Sequence, residues 1–122
     1  MAPDIIRAKS LLKSAQETIE AVKKIPIEQT TLKTILRELY EGLRQYCEAL
    51  GYSRGYQFQS HEVITIFLQE HLNEPTIAAR FDRYRKLRNG INYYGDEIAP
   101  QTVNDAIEEI PKLLNLLKKH LK

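Results

Sequence analysis

LKTILRELYEGLRQYCEALG, residues 32–51, carries its apolar side chains at helical intervals. Leu32, Ile35, Leu36, Leu39, Leu43, Tyr46 and Leu50 recur at steps of about three or four residues, which lines them along one face of an α-helix. Thr30 or Thr31 can cap its start, and Gly51 is expected to stop it. No strand-type alternation competes with this period here or elsewhere in the chain.

Four other segments have the same pattern. The first runs from about Asp4 to Lys24, with Ile5, Ala8, Leu12, Ala15, Ile19 and Val22 on its stripe, Asp4 as its cap and Pro26 beyond its end. GYSRGYQFQ, residues 51–59, reads as a ring-bearing loop. Ser60 then looks like the cap of a short third helix, with Glu62 well placed in its first turn. Its core, VITIFL, is apolar almost all round, so this helix is expected to be central and buried. NEP, residues 73–75, is a break. The fourth helix starts at about Pro75 or Thr76 and is ended by Gly95 or kinked at Gly90. The fifth spans about Pro100 to Leu121, striped by Val103, Ile107, Ile110, Leu114, Leu117 and Leu121. Pro111 should kink or break it at Ile110, because an interior proline costs about 3 kcal/mol. Helices joined by short loops pack antiparallel. The expected fold is therefore all-α: an up-and-down antiparallel four-helix bundle with one extra short helix, residues 1–122 forming a single domain.

The chain is long enough for one real core, with 122 residues, 43% hydrophobic and 28% charged, a globular and not a disordered balance. A net charge of +2 gives no whole-molecule field toward nucleic acid or membrane, so any basic surface must be local. The lone Cys47 excludes an internal disulfide and a multi-cysteine metal site. It is expected to be a core thiol. The longest apolar run, VITIFL, is far short of the ~20 residues of a membrane helix. MAPDIIRAKS has neither a long apolar region nor a cleavage pattern, so no signal peptide is expected. These features suit a cytoplasmic protein with no membrane partner, metal or cofactor.

Chemistry concentrates in RKLRNGINYYG, residues 85–95. At about 100° per residue, Ile77, Phe81, Tyr84 and Ile91 share one side of the fourth helix, and Leu87 flanks them. Arg88 falls in the same stripe, one turn before Asn92. A guanidinium there must be paired, hydrogen-bonded, or open to a cleft or interface. Two readings stand: Arg88 ties the bundle through a carboxylate or helix-end carbonyls, or it lines a polar groove for phosphate with Asn92. Arginine suits phosphate because its planar fork donates two parallel bonds and its charge is permanent. Arg80, Arg83, Arg85, Lys86 and Arg88 crowd the same segment, with Asp82 the one acid among them. Tyr84, Tyr93 and Tyr94 interleave. Charge for a backbone and rings for stacking suit single-stranded RNA or nucleotides; a solvated helix face is the plainer alternative.

LRNGINYYG resembles the fourth-helix motif of HEPN domains (higher eukaryotes and prokaryotes nucleotide-binding). LGYSRGYQFQSHEVITIFL, residues 50–68, resembles the Gly-Tyr, Ser-His-Glu and apolar segment of their prokaryotic members. The likeness of layout covers nearly the whole chain. It implies an all-α bundle of four to five helices, usually a homodimer. It also implies RNA or nucleotide as partner, in some members beside a minimal nucleotidyltransferase in a toxin–antitoxin setting. Many members are metal-independent RNases whose motif is an arginine, a polar residue after it, and a histidine after four to six intervening residues. Arg88 matches the arginine and Asn89 the polar residue. The histidine's place holds Tyr93, Tyr94 or Gly95, according to the spacing. The tyrosine that receives a nucleotidyl group in some toxin members is here Gly95. A tyrosine of pKa ~10 moves protons poorly near neutral pH, where a histidine does so well. The resemblance therefore implies binding through Arg83, Arg85, Arg88, Asn89, Asn92 and Tyr93. Endoribonuclease action by Arg88, Asn89 and Tyr93 is the alternative, and a purely structural interaction protein the third.

His61 and His71 are too far apart in sequence for a helical metal pair, but either could meet Arg88 in space and supply the missing base. PKLLNLLKKHLK, residues 111–122, is a basic amphipathic stretch whose simplest reading is bundle core with snorkelling lysines. Tyr93, roughly 140° around the helix from Arg88, is expected to point away from the core stripe. The fourth helix is expected to enter the dimer interface.

Overall fold

A computed structural model describes residues 2–121. Among them there are five α-helices and no strand: α1 (Ile5–Val22), α2 (Leu32–Tyr52), α3 (His61–Glu70), α4 (Pro75–Tyr94) and α5 (Pro100–Leu117). A single 3-10 turn, Lys118–His120, follows α5. No described helix is long and apolar enough to cross a membrane.

The all-helical expectation holds, and the helices pack in a way compatible with a bundle. The centre is α2, which packs against every other helix. The reason is visible in its sequence. Besides the stripe through Leu39 and Leu43, a second line of buried residues, Leu36, Tyr40, Leu43 and Cys47, follows the same helical spacing. Two adjacent stripes make a face too wide for one neighbour to cover. Each buried leucine or isoleucine contributes about 1.5–3 kcal/mol, so this helix dominates the core. Cys47 is fully buried, as a core thiol should be.

The short third helix is not the centre. Ile64, Phe67 and Leu68 are buried, but Val63 is 40% and Ile66 54% exposed. A ten-residue helix against α4 and α2 has room for one covered side only. Apolarity all round VITIFL thus did not translate into burial all round.

Gly51 does not stop α2, which continues to Tyr52. Its role is space: a Cβ there would stand 2.4 Å from the Phe58 ring, so the glycine lets the 53–60 loop fold its phenyl group onto the helix end. Pro111 does not break α5 either. The proline removes one hydrogen bond. Val103, Ala106, Ile110, Leu113 and Leu117, buried on both sides of it, hold the helix together, and their combined burial outweighs a cost of about 3 kcal/mol.

The helix starts differ in how they are capped. Asp4 caps α1 by accepting from the Arg7 amide at 3.0 Å. Ser60 occupies the cap position of α3 with extended backbone but makes no side-chain cap bond. Thr31 precedes α2, yet its hydroxyl faces backward, donating to the Pro26 carbonyl at 2.6 Å and accepting from the Glu28 amide. It shapes the α1–α2 connection and leaves the helix end alone.

Helix α4 passes unbroken through Gly90 and ends at Gly95, whose φ is +65°. The Gly95 amide donates to the Ile91 carbonyl and the Asp96 amide to the Gly90 carbonyl, closing a left-handed C-cap. Open space surrounds Gly95, so only its backbone conformation selects glycine. Gly95→Ala should therefore lower stability by about 1–2 kcal/mol, and Gly95→Asn by less, in urea unfolding with unchanged slope. An alanine variant as stable as the parent would contradict a left-handed residue here.

Candidate functional site

Helices α2, α3 and α4 meet around Arg88. Antiparallel packing of α3 on α4 brings the first residue of α3, His61, beside the last turns of α4. The Arg88 Nη2 lies 2.9 Å from His61 Nδ1, and the Tyr40 hydroxyl lies 2.8 Å from the same nitrogen. The guanidinium carbon stands 5.1 Å over the Tyr40 ring, and Nη1 donates weakly to Asn89 Oδ1 at 3.3 Å. Arg88 is half-buried and sits among uncharged partners: an imidazole, a phenol ring and an amide.

The tautomer follows from the donors. A guanidinium has only N–H groups to offer, so Nδ1 accepts and carries no proton. The Tyr40 hydroxyl then donates to that nitrogen as well, so one lone pair serves two donors. Burial pushes the His61 pKa down to about 4, and the Arg44 and Arg88 charges push the same way. Burial also drives the Tyr40 hydroxyl well above its ordinary value. At neutral pH the whole cluster therefore has one charge, on Arg88.

Arg44, Arg80, Arg85 and Lys86 are paired with carboxylates, whereas Arg37 and Arg83 form no ion pair among the described residues. Arg44 bonds to Glu41 and, at 2.8 Å, to Glu48. The Arg44 bond holds Glu41 below the usual carboxylate range even though burial opposes it. Arg85 and Lys86 both bond to Asp82, at 2.8 and 3.1 Å. Arg80 crosses to Glu109 of α5 at 2.6 Å, and the Tyr84 hydroxyl donates to the same carboxylate. Among the described residues, no carboxylate forms an ion pair with Arg88. Of the two readings of Arg88, the tie through a carboxylate or helix-end carbonyls is not seen among the described residues: an imidazole takes that place.

Arg88 opens into a groove of about 490 Å³ lined by Thr18, Arg37, Glu38, Tyr40, Glu41, Gln45 and Asn92. It is mostly polar and unites α1, α2 and α4. Gln45 Oε1 is buried there without a hydrogen-bond partner among the described residues. Arg37 is exposed and forms no ion pair among them, so the groove carries two uncommitted guanidinium groups.

The six residues expected at the site divide. Arg88 and Asn92 share the groove, with Asn89 against Arg88. Arg83 lies over the Tyr84 ring and lines a separate depression of about 450 Å³ with Asp82, Lys86, Asp96 and Glu97. Arg85 is turned to Asp82. Tyr93 is 71% exposed, pointing off the core stripe as the projection requires. His71 is elsewhere, beside Tyr56. Tyr40, Arg37, Thr18 and Gln45 were not foreseen. The spacing of Tyr40 with Leu36, Leu43 and Cys47 on a second stripe was the available signal for it. Nothing in the sequence marks the other three.

Compared with family models, curated proteins and solved structures, the chain matches none.

His61 makes stability depend on pH with a definite sign. Its folded pKa, about 4, lies below the unfolded value of ~6.5. Between these values the unfolded chain binds a proton that the folded chain refuses. The contribution is intact above pH ~6.5 and is lost progressively as pH falls toward 4. His61→Asn keeps an acceptor and cannot titrate. Its urea midpoint should fall less between pH 7 and 4.5 than the parent's, and parallel pH profiles would contradict a buried neutral His61.

Proposed function

We propose that this chain is a HEPN-like module that binds RNA or a nucleotide, with Arg88 as its phosphate contact and Asn92 beside it in the groove. The observation that carries this reading is the state of Arg88: a fixed, permanent cation at an open groove, positioned by neutral groups and without an ion pair among the described residues, although the Glu41 carboxylate in the groove feels its charge. A merely structural arginine in a helix stripe gains most from a carboxylate, and three nearby arginines have one. Arg37 offers a second phosphate contact. Thr18, Gln45 and Asn92 supply donors and acceptors for a sugar or base edge. Tyr93 and Tyr94, exposed at the end of α4, can stack on bases that leave the groove.

We read the helices as an up-and-down antiparallel four-helix bundle with α3 as the short addition, in line with the resemblance of LRNGINYYG to the HEPN motif. The same resemblance suggests a cytoplasmic homodimer with α4 at its interface, partnered with a minimal nucleotidyltransferase in a toxin–antitoxin setting. Two copies of α4 about a two-fold axis would unite two grooves.

Cleavage is the second reading, because an imidazole does approach Arg88. Binding is favoured over it on two grounds. The basic nitrogen of His61 is already occupied by two donors, and a base of pKa about 4 accepts protons poorly at neutral pH.

Arg88→Ala should weaken binding of a single-stranded RNA by ~1.5–3 kcal/mol, measured by fluorescence anisotropy. Affinity of the parent should fall steeply with salt as counterions are released. Arg85→Ala, whose guanidinium is engaged by Asp82, should change affinity by less than Arg88→Ala. Equal losses in the two variants would mean diffuse charge attraction without a site.

A further inference from the structure

The groove described above contains a polar contact that phosphate binding alone leaves unexplained. His61 is held at the start of α3 with its single lone pair facing two donors. We propose that His61 is a positioning residue: it holds Arg88 in a releasable hydrogen bond, and it takes up a proton from solvent when an oxyanion draws Arg88 away. This inference rests on the reading of Arg88 as an anion contact.

The geometry makes the bond releasable. One lone pair cannot serve Arg88 and Tyr40 fully, so each bond is partial. An oxyanion offers Arg88 charge-assisted and bidentate bonds, roughly twice as strong as one to a neutral acceptor. When Arg88 turns to the anion, Nδ1 keeps Tyr40 alone. Tyr40 can then reverse its hydroxyl and accept from a protonated Nδ1, since a hydroxyl both donates and accepts.

The charges around the imidazole explain why the proton arrives with the anion. From α2 it faces Tyr40, Glu41 and Arg44, and from α4 Arg85 and Arg88. Arg44 is held by Glu41 and Glu48, and Arg85 by Asp82. Burial and the Arg44 charge weigh most against a proton on His61, and the Arg88 charge adds to them; Arg88 is the cation of this group that has no ion pair among the described residues, and its Nη2 is 2.9 Å from the protonation site. In the free chain a proton on Nδ1 would face a guanidinium at hydrogen-bond distance. An oxyanion removes that obstacle by neutralising the guanidinium and attracting the imidazolium. Burial keeps His61 neutral until then. Linkage makes the effect reciprocal: the anion favours the proton, and the proton favours the anion.

Sulfate is the probe, because it stays doubly charged across the pH range in which His61 titrates. The full chain is titrated in sulfate and in chloride at matched ionic strength, with the His61 Cε1–H and arginine Nε–H signals followed by NMR. Sulfate affinity is measured by calorimetry at pH 5 and 7. The His61 midpoint is expected to rise by about one pH unit or more in sulfate. A one-unit rise makes the affinity about twofold tighter at pH 5 than at pH 7, and a larger rise makes it tighter still. His61→Asn retains an acceptor where Nδ1 sits and should still bind sulfate, now with the same affinity at both pH values. If sulfate moves the Arg88 signal and leaves the His61 midpoint in place, the positioning role is overturned and the anion site stands. Persistent pH dependence in His61→Asn overturns it as well, since another group then carries the proton. If the Arg88 signal ignores sulfate, the anion site itself fails and the inference fails with it.

Discussion

A guanidinium on the apolar side of a helix has to be satisfied, and the way Arg88 is satisfied organises the polar groove between α1, α2 and α4. Its partners are neutral: the His61 imidazole, the Tyr40 ring and the Asn89 amide. That arrangement requires α3 to begin where α4 is about to end, and α2 to present an aromatic residue between them. The constraint reaches far along the chain, because Tyr40, His61 and Arg88 come from three helices. A carboxylate in place of His61 would bind the arginine more tightly and remove its charge from the groove. The imidazole fixes the side chain and leaves that charge in force.

Around this cluster, α4 divides its cations by use. Arg80 joins α4 to α5 through Glu109, next to the buried ring of Tyr84. Arg85 and Lys86 share Asp82 on their own helix. Such partly exposed pairs add little stability individually, but they do remove charge from the surface. What reads as a basic run in the sequence is, in three dimensions, a mostly neutralised face on which Arg83 and Arg88 form no ion pair among the described residues, and Arg88 shares its groove with Arg37 of α2. Arg83 stands apart, over Tyr84 on another side of the helix.

The sequence made the helices legible because periodic burial follows directly from 3.6 residues per turn. The position of Arg88 was legible for the same reason, and so was the outward direction of Tyr93. Three local signals misled. VITIFL looked buried all round, but apolarity says nothing about how many neighbours a short helix will find. Pro111 was expected to kink or break the helix; the break does not occur, because the tertiary burial on both sides of it was invisible locally. Gly51 looked like a stop, and its use became clear only with the Phe58 ring against it. The site was half legible. Helical projection reveals what shares a face within one helix, so it put Arg88 beside Asn92, while Asn89 was named from the motif resemblance alone. It carries no information about which residue of another helix arrives opposite, so Tyr40, Arg37 and Gln45 were missed, and His61 and His71 could not be told apart.

The central claim is that Arg88 is an uncommitted cation at a binding groove, unlike the paired arginines around it. The most direct test follows the arginine Nε–H signals of the full chain as a short single-stranded RNA is added. The expected result is a saturable shift of Arg88 and Arg37, while Arg44, Arg80 and Arg85, engaged by carboxylates, stay in place. Movement of all arginines together, or a response at Arg83 with Arg88 unmoved, would contradict the claim.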